Sequence, residues 1–199
     1  MEAEKYFIQS GQLDSLVRGL IMSNPVLEAM RNRRSATRFD TAPVEEEKIQ
    51  AILEAGRWAP SWLNRQPWKF IVIRDRLLKE RISEFAPTVY KLALNEAPVC
   101  IAVCVNPVED PFHYVEDGSI ATQNMALAAQ SLGLGSLWIG MFNVRNERNS
   151  AEEKTKAVLE IPENYRLISI LPVGVVKLAP EKTRKDLSEI VMSEKFGQK

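Results

Sequence analysis

The sequence predicts an α+β fold in which a central sheet of four or five short strands is wrapped by helices. Three observations carry this expectation. Pro98–Val105 and Leu167–Val176 are β-branched, apolar runs, the pattern of strands buried on both faces. Residues 115–132 form a helix apolar on nearly every side, which has to be buried, and Gly133 suits its C-terminal cap. Ile49, Ile52, Leu53 and Gly56 recur at i, i+3, i+4 and i+7, one buried helical face. Helices with one apolar face, beside strands with two, require layered packing.

The remaining elements follow in chain order. Residues 4–22 read as a loosely amphipathic helix with Phe7, Leu13, Leu16, Val17 and Leu20 near one side, broken by Ser23-Asn24-Pro25. This makes residues 1–25 a helical extension ahead of a single domain over 26–199. Pro25 suits the first turn of the next helix, which runs through Leu27 and Met30 and ends in the basic turn Asn32-Arg33-Arg34-Ser35. Pro43 and three glutamates open the helix that carries Ile49, with the acids at the positive end of its dipole. Lys69–Arg74 is a strand, residues 75–95 are helical with a break near Pro87, and Gly135–Ile139 is a short strand. Residues 150–160 form an exposed helix, and Asp186–Met192 a final turn or two.

Composition excludes several classes. At 199 residues the chain has room for one domain with a full core. Lys+Arg and Asp+Glu both number 26, so there is no net charge to coat nucleic acid or an anionic membrane. No apolar run reaches the ~18 residues of a membrane span, and Met1-Glu2-Ala3-Glu4-Lys5 does not open a signal peptide. Cys100 and Cys104 lie on one face of a strand, about 13 Å apart, too far for a mutual disulfide. They read as buried thiols, and with a single histidine no metal site is expected. A reducing cytoplasm is the expected setting.

Four segments could carry chemistry. Arg33, Arg34, Ser35 and Arg38 form a basic turn that either grips a phosphate or caps a helix. The loop Ala59-Pro60-Ser61-Trp62-Leu63-Asn64-Arg65-Gln66-Pro67-Trp68 is stiff, aromatic and polar at once. Ser61, Asn64 and Gln66 suit a heteroaromatic ring with alternating donors and acceptors, while Trp58, Trp62 and Trp68 suit core. Gly133-Leu134-Gly135-Ser136-Leu137-Trp138-Ile139-Gly140 combines a helix cap with a glycine at which backbone can approach a ligand. Lys182 and Arg184 point the same way in an extended segment, as a phosphate grip or an exposed tail. The chain has no Gly-x-Ser-x-Gly elbow, no Walker loop and no His–carboxylate–nucleophile set, which favours chemistry carried by an organic cofactor.

Taken together and in order, these segments resemble the nitroreductase family of FMN-dependent flavoproteins, from about residue 26 to 192. The pieces are Arg-Arg-Ser at 33–35 followed by Phe39, Ala-Pro-Ser-x-x-Asn-x-Gln-Pro-Trp at 59–68, and Gln-Asn at 123–124 leading to Gly-Leu-Gly-Ser-x-Trp-Ile-Gly at 133–140. Leu-Pro-Val-Gly at 171–174 precedes Lys-x-Arg at 182–184. The resemblance implies a three-layer fold with a mostly antiparallel sheet, in a domain-entwined homodimer with the 115–132 helix in the interface. It implies that Arg33, Arg34, Ser35, Lys182 and Arg184 hold the FMN phosphate and ribityl chain. Pro60, Ser61, Asn64 and Gln66 would line the isoalloxazine from the partner subunit, with Ile139 and Gly140 near its reactive nitrogen. NAD(P)H would be the hydride donor, in ping-pong turnover with a nitroaromatic, quinone or enone as acceptor. Phe112, His113 and Tyr114 either shape the acceptor slot or form an ordinary aromatic loop. Where many members of the family place a cation, this chain has Thr37, so Arg38 or Arg65 substitutes or the flavin potential is lower. The alternatives are a reductive dehalogenase, a flavin-fragmenting enzyme, or a non-catalytic flavin-binding regulator.

Overall fold

The computed structural model describes Gly19 and residues 24–181 and 183–198. Apart from Gly19, the expected helix over 4–22 lies outside the described residues, as does Lys182. Helix α1 (Pro25–Asn32) starts at Asn24, whose side chain accepts the N–H groups of Val26 and Leu27. Strand β1 (Arg38–Phe39) leads to α2 (Glu46–Arg57), which buries Ile49, Ile52 and Gly56 as their spacing requires. A 3-10 turn (Trp62–Asn64) precedes β2 (Trp68–Ile73). Helices α3 (Arg76–Phe85) and α4 (Thr88–Glu96) flank the break at Pro87. Then come β3 (Val99–Val105), α5 (Tyr114–Ser131), β4 (Gly135–Ser136), β5 (Ile139–Gly140) and α6 (Ala151–Val158). Strands β6 (Arg166–Gly174) and β7 (Val176–Leu178) and the short α7 (Leu187–Ile190) complete the order.

The main sheet runs β2-β3-β6, with β4 and β5 both pairing with the outer edge of β6, and all these pairs are antiparallel. All seven residues of β3 are buried, because the two faces of the strand feed two cores. Cys100, Ala102 and Cys104 pack with Phe39, Ile82, Leu94 and Ile139 on one side. Val99, Ile101 and Val103 pack with Ile49, Ile52, Met125 and Ala129 on the other. The result is three layers: α2 and α5 on one face, α3, α4 and α6 on the other. At Gly118 a Cβ would lie 2.6 Å from Ile168 and 2.8 Å from Val105, so only glycine lets α5 sit this close to the sheet. Gly133 has φ +76° and closes α5 as expected.

Several boundaries differ from the sequence reading. Strand β2 starts at Trp68, which is buried and paired with Val105, and stops before the exposed Arg74. The expected 135–139 strand is two pieces. Leu137 N–H donates to Pro172 O, but Pro172 has no N–H to return the bond, and the ladder opens there. The strand expected to reach Val176 ends at Gly174, and 176–178 pairs instead with β1 in a separate two-stranded ribbon. The expected exposed helix at 150–160 in fact buries Glu152, Thr155 and Lys156. The turn expected over 186–192 narrows to 187–190, closed by a capping box of Asp186 and Glu189.

Both cysteines are free and buried, and burial pushes each thiol up to about 12. We therefore expect neither to react with a disulfide reagent at pH 8 in the native protein, and both to react after unfolding. Rapid native-state labelling would show that one of these core faces is open.

Candidate functional site

The outer edge of β6 carries the first half of the site. Ser35 forms a parallel bridge with Ser136, and Ala36 N–H donates to Ser136 O at 3.0 Å, which docks the basic turn against β4. Arg33 is half-buried there, and its guanidinium is held below its ordinary pKa. Burial is the first cause, then the positive charges of Arg184 and Arg34. Residues about 150 positions apart thus bring like charges together, an arrangement that calls for an anion. The Ser136 hydroxyl is buried on the same edge without a hydrogen-bond partner. Gly174 and Val173 face β4, and Ile170 and Ser169 face Ile139 and Gly140, so Gly140 lies about 13 Å along the edge from Ser136. Gly140 is exposed, and a Cβ there would meet nothing closer than the Trp138 indole nitrogen at 4.0 Å.

Not all of the basic residues join this group. Arg34 Nη1 donates to the carbonyls of Arg31 and Arg33 at 2.6 and 3.0 Å, so it also caps α1. Arg38, counted among the expected cofactor contacts, is instead committed to Glu96. Its Nε lies 2.7 and 2.9 Å from the two carboxylate oxygens, and its Nη2 2.6 Å from one of them. The reason is β1: pairing Arg38 with Leu178 places it over α4, where Glu96 also accepts the Phe39 N–H. Thr37 is tied to Leu178 O through both its N–H and its hydroxyl. Arg65 is exposed, with its guanidinium 5.9 Å from the Trp62 ring centre.

The second half is the 59–68 loop, on the far edge of the sheet. Leu63, Asn64 and Gln66 all have positive φ (46°, 56° and 51°). Such geometry is costly for leucine and glutamine and persists only where the surroundings impose it, commonly at ligand sites. Ser61 Oγ accepts the Gln66 N–H at 2.9 Å, and Gln66 Nε2 donates to Asn64 O at 3.2 Å. Pro60, Asn64 and Gln66 point outward and exposed, and Ser61 is half-buried. Of the tryptophans, Trp68 is buried core, Trp62 is half-buried and Trp58 is 72 % exposed, so Trp58 is not the core residue expected.

The loop is pinned to the head of α5. The Trp62 N–H donates to both carboxyl oxygens of Asp117 at 3.2 Å each. Asp117 is pushed up to about 6, by burial first and then by the Asp110 carboxyl beside it. Asp110 is held below the usual carboxylate range. Burial would raise it, but the N–H groups of His113 and Phe112, donating at 3.0 and 3.1 Å, outweigh burial. Phe112 and His113 reach the same place, with ring centres 5.2 and 5.9 Å from Trp62, while Tyr114 turns toward Phe142. Pro60, Ser61, Trp62, His113, Asp117 and Ile120 line an open cleft of about 300 Å³. Neither Asp110 nor Asp117 stood out in the sequence, because nothing local marks an acid as buried.

The two halves do not meet within one chain. The sheet separates the 59–68 loop beside β2 from Gly140 by three strand spacings, about 14 Å. Along α5 the loop sits at Asp117, whereas Asn32, next to Arg33, shares a surface pocket with Gln130 and Ser131, about 20 Å further on.

Comparison with known proteins decides the family. The nitroreductase family model matches residues 30–87 and 83–175. The chain belongs to the nitroreductase family. A protein of Methanothermobacter thermautotrophicus, provisionally named an NADH dehydrogenase/NAD(P)H nitroreductase, is 38% identical over 158 residues, 78% of this chain and 80% of that one. A Parabacteroides distasonis structure under the same provisional name superposes with TM-score 0.79 at 29% identity, covering 87% of this chain and 99% of that one. A Desulfovibrio desulfuricans structure, provisionally named a nitroreductase and solved with FMN, gives TM-score 0.73 at 30% identity over 87% and 98% of the two chains. Iodotyrosine deiodinase of Nematostella vectensis is more distant, 27% identical over 200 residues, 83% of this chain and 73% of that enzyme. The expected three-layer, mostly antiparallel nitroreductase fold is thus the one this chain adopts.

The described residues fit a flavin mononucleotide. The converging Arg33, Arg34 and Arg184 suit a phosphate, the unpartnered Ser136 hydroxyl suits a polar chain, and the open backbone at Gly140 leaves room for a flat ring.

Proposed function

We propose that this protein is an FMN-dependent oxidoreductase that takes hydride from NAD(P)H and passes it to a small acceptor in ping-pong turnover. The convergence of Arg33 and Arg184, with Arg33 docked at the β4 edge through Ser35, carries the reading, because it concentrates positive charge at one place on a neutral chain. Arg33 and Arg184, together with Arg34 and with Lys182 as a further cation from the sequence, would neutralise the phosphate, and Ser35 would add a hydroxyl bond. Ile139 and Gly140 would bring bare backbone against the ring. The chemistry FMN supplies when bound is hydride transfer from NAD(P)H to a nitroaromatic, quinone or enone that follows it in the same slot. The chain contributes position, charge and water exclusion.

The outward-facing Pro60, Ser61, Asn64 and Gln66 would serve the flavin of a second copy. A two-fold axis that lays α5 antiparallel against its mate would bring the loop at one end of α5 to the arginine turn at the other end of its partner. The exposed apolar Val26, Trp58 and Ile120 along this face support a homodimer. Two buried unpaired thiols favour a reducing, cytoplasmic setting.

Purified protein reconstituted with FMN is expected to be yellow and to oxidise NADH or NADPH in the presence of a quinone or nitroaromatic. Protein that cannot take up FMN defeats the cofactor assignment; protein that binds FMN and turns over no acceptor is a flavin-binding regulator.

A further inference from the structure

The carboxyls of Asp110 and Asp117 are both at least nine-tenths buried and lie within hydrogen-bonding reach of each other. Two ionised carboxylates have no proton to share, and Asp110 Oδ2 is accordingly a buried acceptor without a donor. Asp110 Oδ1 is already filled by the Phe112 and His113 N–H groups, which makes Asp110 the charged member. A proton on Asp117 gives the orphan oxygen its donor and still leaves Asp117 an oxygen to accept the Trp62 N–H.

We propose that Asp110 and Asp117 share one buried proton and form the positioning pair that holds the strained 61–66 loop in its binding geometry. The geometry converges on this. Trp62 opens the turn whose next residues, Leu63, Asn64 and Gln66, carry positive φ, and its N–H is the loop's tie to α5 through Asp117. Loss of the proton sets two buried negative charges against each other, and they part by moving Asp117 from Trp62 or by admitting water. The charged and titratable groups around the pair are few. His113 and Glu116 stand beside it at the head of α5 with a 3.9 Å contact between them, and Arg65 lies over Trp62 from the loop. The loop is therefore ordered while Asp117 is protonated and loosens as pH rises through about 6. Its link to flavin binding rests on the function proposed above.

The test is an amide titration of ¹⁵N-labelled, flavin-free protein from pH 4.5 to 8. The Trp62 N–H resonance is expected to shift with a midpoint near pH 6, to lose that transition in Asp117→Asn, and to keep it in His113→Gln, which removes the neighbouring imidazole. FMN affinity is then compared between wild type and Asp117→Asn at each pH, so that the phosphate's own ionisation cancels. The two should bind alike at pH 5. By pH 8 the wild type should bind about fivefold or more weaker, within the ordinary range of coupling between sites. A flat Trp62 resonance in the wild type, or an Asp117→Asn protein that keeps the transition, overturns the pair. Should Asp117→Asn not fold, Asp110→Asn removes the repelling charge but keeps Asp117 ionisable, so the Trp62 transition should move to lower pH, and a transition that stays in place overturns the pair; the wild-type titration alone still decides whether the proton is there. Protein that binds no FMN at any pH defeats the functional reading and leaves the amide titration to judge the pair separately.

Discussion

Replacing Glu152 by alanine is expected to lower the unfolding free energy by about 3–5 kcal/mol, the cost of stranding a buried charge. Glu152 is fully buried although it sits in the first turn of α6. Its carboxylate takes Arg166 Nε at 2.7 Å and Nη2 at 2.9 Å, and also the backbone N–H groups of Asn143 and Leu167. The hydrogen bonds that Arg166 donates to Glu152 raise the Arg166 pKa against the pull of burial, and the guanidinium also lies 4.4 Å from the Phe142 ring centre. Alanine would leave that cation without its carboxylate, though still bonded through Nη2 to Asn143 O at 2.7 Å, and two N–H donors unpaired at once. For a chain of this size the loss corresponds to a melting point lower by roughly 6–20 °C. Against a typical total of 5–15 kcal/mol, it would bring the fold near its limit. Urea titration of the purified variant measures it. A loss below about 1 kcal/mol would mean that water replaces the carboxylate, and that the loop after β5 is not held by this pair. Glu152→Gln, which keeps an acceptor and removes the charge, should fall between.

Glu152 also shows where reading the sequence stops. Amphipathic periodicity treats a glutamate in a polar helix as solvated, and its partner Arg166 is fourteen positions away on another element. The same blindness hid Asp110 and Asp117, each an ordinary acid beside a turn. The β1–β7 ribbon was invisible for a different reason. Two residues, Arg38 and Phe39, cannot show a period, yet their pairing hands Arg38 to Glu96 and removes it from the basic cluster. By contrast, β3 was legible because it is buried on both faces, which leaves a long apolar run that no loop would carry; α5, apolar nearly all round in sequence, buries one face here, with Gly118, Ala121, Met125 and Ala129, and leaves Ile120 exposed. The arginine turn and the distant Arg184 were legible as motifs, but their meeting is a property of the fold, in which the Ser35–Ser136 bridge docks the turn against β4. The positive φ values at Leu63 and Gln66 had no local signal at all, since neither residue type favours them.

Arg33→Ala should separate a binding residue from a structural one, because the two roles predict opposite signs. In the flavin-free protein Arg33 is partly desolvated and faces Arg184 and Arg34, so its charge works against the fold. Removing it should leave the melting point of the flavin-free protein unchanged or raise it. With FMN the charge becomes an asset: losing one charge-assisted bond to the phosphate should weaken binding by about 1.5–3 kcal/mol, roughly 10- to 150-fold in Kd. Arg184→Ala should act in the same two directions. The double variant should lose less than the two single losses added together, because each arginine left alone no longer contends with the other. Arg33→Lys should recover only part of the affinity, since an ammonium cannot present the paired donors of a guanidinium. Isothermal titration with FMN and thermal melts of the same flavin-free samples give both readouts. An unchanged Kd would reduce the basic turn to a cap on α1. A melting point several degrees lower in the flavin-free variant would mean that Arg33 holds the turn together and not the ligand. Only weakened binding together with an undiminished melting point fits a cluster of like charges assembled for an anion.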